Sequence, residues 1–165
     1  MFWVLLFLAQ TASAQSALPA QIARGETLFF DTAGCGTCHA LKGKGTAVGP
    51  DLKGIGHVSP GGIATAVRST VTQYVQVVKV KSVGSFPAMP PAAGDQPVTI
   101  YDLSKMPPEP HNVERSDLGS SSPNNGWKHP PSVKKLTDQQ MADVIAYIRY
   151  AATGSKAAVD PSDIQ

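Results

Sequence analysis

The clearest apolar period in the chain lies near its C-terminal end. Met141, Val144, Ile145 and Ile148 recur at i, i+3, i+4 and i+7, the stripe of an amphipathic helix. Thr137 followed by Gln140 has the form of a capping box, and Leu136 with Met141 that of a hydrophobic staple. Gly154 is a natural stop. A second helical period runs through residues 17–33, where Ile22, Gly25 and Phe29 share one face. A glycine inside a helix costs about 1 kcal/mol against alanine. Gly25 therefore implies either a closely approaching backbone or simple tolerance near a helix start. A third helix is expected over residues 61–72, with Ile63, Val67 and Val71 spaced for burial.

Between the helices the period changes from 3.6 to 2. Residues 74–81 are β-branched and alternating, with a change of phase at Val77–Val78 that suggests a bulge. Residues 98–103 and 111–118 read as two further strands, joined through Lys105-Met-Pro-Pro-Glu-Pro110. Residues 74–118 are thus expected to form a small antiparallel β-flap inserted into a mainly α domain. Residues 41–52 and 54–59 carry glycines and prolines and read as loops.

The ends differ in character from the middle. Residues 1–9 are apolar and too short to span a bilayer, and Ala12 and Ala14 form a small-x-small cleavage signal. Residues 1–14 are read as a signal peptide, although no Lys or Arg precedes the apolar run. No cysteine follows it, so neither a lipid anchor nor another permanent membrane anchor is expected. Residues 15–154 form one domain, and the polar segment 155–165 is expected to be a disordered tail. The net charge of +2 and 16 % charged residues make no case for nucleic-acid binding. The 14 prolines and 15 glycines predict long irregular segments.

The chemistry is concentrated in Cys35-Gly36-Thr37-Cys38-His39. This is C-x-x-C-H, the form of a c-type haem attachment site. If the turn is helical, Cys35, Cys38 and His39 leave one face. Each sulfur can then join a haem vinyl group while the imidazole binds the iron axially. A redox dithiol, a disulfide or half a zinc site are the competing readings. With only two cysteines an all-cysteine zinc site is excluded, and no role in those alternatives falls to His39. Aromatics are few at 7 %, and a haem would supply the missing apolar mass.

With G-x-x-L-F before the motif, G-P-D-L at 49–52 after it and the helix at 136–149, the chain resembles a class I monohaem cytochrome c. The resemblance implies one covalent haem c and export to the periplasm. It implies that the Pro50 carbonyl accepts from the His39 ring, that Leu52 packs on the haem, and that Tyr147 crosses onto Gly25 and Phe29. It further implies redox protein partners, such as a dehydrogenase, an oxidase or a quinol-oxidising complex, and an electron carrier rather than an enzyme. Lys42 and Lys44 would steer acidic partners if they are more than an ordinary solvated loop. His57 and Arg68 are read as solvated, with a propionate contact as the sharper alternative.

The sixth iron ligand is chosen among Met89, Met106, His111 and His129. Met89-Pro and Met106-Pro-Pro both look like the family's ligand loops. The family's loop, however, stands just before the last helix. Met106 is 30 residues before Leu136, Met89 is 47, and His129 is only seven. His129 is therefore expected as the ligand, with Trp127 covering the haem edge or donating to a propionate. The expected function is a soluble carrier of one electron with His39/His129 ligation. The alternative is a dedicated dehydrogenase subunit with His39/Met106 or His39/Met89 ligation. A sensor or peroxidase ranks last, since nothing supplies a distal acid–base pair.

Overall fold

The computed structural model describes residues 18–69, 74–91, 94 and 97–164. The expected signal peptide at 1–14, residues 15–17 and Val71 lie outside the described residues. Helix α1 spans Ala20–Thr27 and widens into a π-helical turn at Leu28–Thr32, closed by the Ala33 N–H on the Leu28 carbonyl at 2.8 Å. Helix α2 spans Pro60–Arg68, capped by the Ser59 hydroxyl accepting from the Gly62 N–H at 3.2 Å. A single turn, α3, spans Pro131–Lys134, and α4 spans Asp138–Thr153.

Helix α4 is built as its pattern predicts. The Gln140 N–H donates to the Thr137 hydroxyl at 3.2 Å, and the Thr137 N–H donates to the Gln140 side chain at 3.0 Å. Two orphan donors are thereby satisfied reciprocally. Gly154 ends the helix at φ 78, a left-handed conformation that costs glycine least. The Met141–Ile148 face is buried against Ile22, Phe29, Leu41 and Ile63. At the α1–α4 crossing a Cβ on Gly25 would stand 1.9 Å from the Asp143 carbonyl oxygen. A closely approaching backbone, and not tolerance near a helix start, is therefore the reason for glycine there. Tyr147 packs on Phe29 with ring centroids 5.6 Å apart.

The same crossing holds a buried carboxylate. Asp143 is 2 % exposed and accepts from Arg24 at 2.8 and 3.1 Å and from Gln139 at 2.9 Å. Burial pushes this carboxyl up, but the hydrogen bonds from Arg24 and Gln139 and the charge of Arg24 outweigh it and hold it below the usual range. A depressed folded-state pKa stabilises above the unfolded value of about 3.9 and loses that stabilisation as pH falls through the folded value. In urea titrations from about pH 6 to pH 3 the wild type is expected to lose stability more steeply than Arg24→Ala. Identical acid limbs would show that the pair is not the source.

The inserted region differs from the expected flap in its pairing. Strands β1 (Gln76–Val80), β2 (Gly84–Ala88), β3 (Val98–Asp102), β4 (Glu109–Val113) and β5 (Leu118–Pro123) form two antiparallel sheets, ordered β2-β1-β5 and β3-β4. The region extends to residue 123, beyond the expected end at 118. The bulge falls between Val78 and Val80 against β5, not at Val77–Val78. Strands β2 and β5 carry Pro87 and Pro123, which edge strands tolerate because one side of the ladder needs no N–H. Val78, Val80, Phe86 and Ala88 of the first sheet pack on Ile100 of the second, giving a satellite core.

Two further expectations are corrected. Residues 54–59 are not a plain loop: Leu52–His57 wind as a 3-10 helix, started by the Asp51 carboxylate accepting from the Lys53 N–H at 2.9 Å. The segment after Gly154 is not a disordered tail up to residue 164. The Gln21 amide bonds both backbone groups of Val159, at 2.8 and 3.0 Å, and Val159 and Ile164 are buried in the helical core. Among the described residues, no helix is long and apolar enough to cross a membrane.

Candidate functional site

The Cys35-x-x-Cys38-His39 segment follows a left-handed turn at Gly34, φ 66, and winds as a tight 3-10 turn over Cys35–Thr37. The Cys38 and His39 amides both donate to the Cys35 carbonyl, at 3.1 and 2.9 Å. This winding brings all three side chains to one wall of a cavity of 680 Å³. Both thiols are free, so the disulfide reading is not realised. Burial pushes the Cys35 thiol up to about 11, and burial also raises Cys38 against a partly opposing hydrogen bond from Thr37. A redox dithiol works by lowering a thiol pKa, so this environment disfavours that reading too.

His39 is fixed by the loop that follows it. The Val48 and Gly49 amides donate to the Cys38 carbonyl at 3.0 and 2.6 Å, folding the loop over the motif. A Cβ on Gly49 would lie 2.6 Å from His39 Cε1, so only glycine leaves room for the ring. The loop then presents the Pro50 carbonyl 2.9 Å from His39 Nδ1. A carbonyl only accepts, so Nδ1 carries the proton and Nε2 keeps its lone pair. Burial lowers the His39 pKa and the Pro50 bond partly restores it, with a net fall. The ring is therefore neutral at pH 7 and fit to bind a metal.

A second imidazole stands on the same cavity. His129 lines it together with Trp127, Pro130 and Val133 and with the α4 residues Met141, Val144 and Ile148. Burial lowers the His129 pKa first, and the charge of His39 adds to this. The segment is held at three points. Pro130 and Pro131 fix the entry to α3. The Ser132 hydroxyl donates to the Ala33 carbonyl at 3.0 Å, tying α3 to the turn before Cys35. The Trp127 ring lies 5.5 Å from the His129 ring, and its indole N–H points at the Leu103 carbonyl at 3.5 Å, a long bond. The indole thus ties the His129 segment to the end of β3.

Leu52 lines the cavity as expected of it, and the β insertion closes one side with Tyr74, Val75, Met89 and Leu103. That closing role was not legible beforehand, because apolar residues at strand ends carry no sign of what they cover. Met106 is not among the lining residues. It sits in the β3–β4 connection, 56 % exposed, with its sulfur 3.9 Å from the Thr37 hydroxyl. His111 packs against Phe86 at 5.2 Å, away from the cavity. His57 is exposed, and Arg68 pairs with Asp138 at 2.6 Å. Lys44 pairs with Glu26 at 2.9 Å, and Lys42 lies over the Tyr150 ring at 3.7 Å.

Two free thiols, a neutral imidazole oriented by a carbonyl, and a largely apolar cavity facing a second imidazole form a donor set that fits haem c. The family model for cytochrome c matches residues 22–101. The fold is a helical cytochrome c domain with a small antiparallel β insertion, and its cofactor is haem c, held covalently through cysteine. The match supports a haem c electron carrier. The match ends before Trp127, His129 and α4, so it covers the attachment motif and Met89 but not the His129 segment. No curated protein matches the chain.

Proposed function

We propose that the protein is an exported monohaem cytochrome c with His39 and His129 as axial ligands, passing single electrons between periplasmic or membrane redox partners. The observation that carries this reading is the His39 Nδ1–Pro50 bond, which leaves Nε2 free on a cavity that His129 also lines. When bound, haem c supplies a one-electron iron couple. Cys35 and Cys38 anchor it, and Pro50 fixes the His39 tautomer and raises its basicity. Leu52, Val133 and the α4 stripe exclude water. Two protein ligands would leave no open coordination position, which would suit outer-sphere transfer and not bond-making chemistry. Bis-histidine ligation also implies a lower potential than methionine–histidine ligation.

One observation favours a second reading. Met89 lines the same cavity, and Met89 ligation with a role as a dehydrogenase subunit follows if it displaces His129. The oxidised protein decides between them: the far-red sulfur-to-iron absorption band is expected to be absent. A clear band would remove the bis-histidine reading and favour Met89, the methionine that lines the cavity.

A further inference from the structure

We propose that the β3–β4 hairpin binds one borderline divalent cation, of the Zn2+ or Co2+ kind, through Asp102, Glu109 and His111. Asp102 is directly opposite Glu109, and His111 is opposite Ile100. Side chains alternate across a strand, so positions 100 and 102 of β3 and 109 and 111 of β4 share one face. One oxygen of each carboxylate and one ring nitrogen of His111 all lie within 4.8 Å of one another. Side-chain torsions suffice to draw three such atoms to ligand distances of about 2.0–2.2 Å.

The local electrostatics call for a cation. Like charges directly opposite each other destabilise a hairpin. Here one of them, Asp102, is only 8 % exposed. Its Oδ1 accepts from the Ser104 N–H at 2.8 Å, and no other hydrogen bond or ion pair from a described residue reaches its carboxylate. A mostly buried carboxylate with one hydrogen-bond donor, set directly opposite a second carboxylate, is stabilised by a cation that faces both. None of the described ion pairs involves Glu109 either. One imidazole nitrogen with two carboxylate oxygens selects a borderline ion, whereas Ca2+ and Mg2+ favour all-oxygen sites. Glu109 is exposed, which leaves room for water to complete the coordination. The site stands apart from the haem cavity, although Leu103, the residue after Asp102, lines that cavity.

Calorimetric titration of Zn2+ into the haem-loaded, tag-free protein tests the assignment. One equivalent is expected to bind. His111→Ala, Asp102→Asn and the surface variant Glu109→Gln should each weaken binding about tenfold or more, with an unchanged haem spectrum as the folding control. His57→Ala, which removes an exposed imidazole elsewhere, should bind as wild type. Co2+ added to the reduced protein should broaden the amide resonances of residues 100–111 in the wild type and not in His111→Ala. Absence of saturation by about 1 mM Zn2+, or equal affinity in wild type, His111→Ala and Glu109→Gln, would overturn the site.

Discussion

His129→Ala is expected to convert the haem from a six-coordinate, low-spin form to a high-spin form that binds carbon monoxide rapidly when reduced. The neutral imidazole is the only nitrogen donor besides His39 among the described lining residues, and alanine leaves the far face of the iron without it. Ala at this position removes no buried core contact, since His129 is half-buried on a proline-braced segment. The loaded protein should therefore remain folded. Met106→Leu should leave the spectrum unchanged, because Met106 is exposed on the outer surface. Met89→Leu is the decisive control, since Met89 shares the cavity. A high-spin Met89→Leu beside a low-spin His129→Ala would transfer the ligand role to Met89.

Gly25→Ala should be the most damaging small substitution in the helical core. The added Cβ would meet the Asp143 carbonyl oxygen at 1.9 Å and its carbonyl carbon at 2.7 Å. Both are backbone atoms of a helix, so no rotamer change relieves the clash and α1 must move off α4. The better helix propensity of alanine returns about 1 kcal/mol, whereas overpacking of this kind costs about 1–3 kcal/mol and at times more. We expect a net loss of about 2 kcal/mol, read as a drop of roughly 4–8 °C in the thermal midpoint. Gly54→Ala, with nothing within 4 Å of its Cβ, serves as the control. It should change stability by less than about 0.5 kcal/mol. Equal midpoints for the two variants would mean that the close crossing is not kept in solution.

What could be read from the chain alone was what local geometry encodes. The capping box at Thr137 and Gln140, the α4 stripe and the Gly154 stop depend on residues three or four apart, and those spacings are fixed by the helix itself. The spacing of Cys35, Cys38 and His39 is equally local, and a tight turn suffices to put the three on one wall. Gly25 signalled a close approach, though not to which helix. The strand region was recognisable by period, but β5, Leu-Gly-Ser-Ser-Ser-Pro, has no apolar alternation to betray it. Its place beside β1 is decided by pairing across nearly the whole insertion.

The tertiary structure decided the rest, because the deciding contacts join residues far apart in the chain. Two hydrogen bonds from Gln21 bind the segment around Val159 to α1, where composition alone suggested a free tail. Loop closure set the far wall of the haem cavity. The His129 segment and Met89 reach it and Met106 does not, although all three stand beside prolines that look alike in sequence. The attachment side of the haem was thus determined by five consecutive residues. The side facing His39 was determined by how α3, the Trp127–Leu103 tie and the β insertion pack, a balance of long-range contacts that no local spacing records.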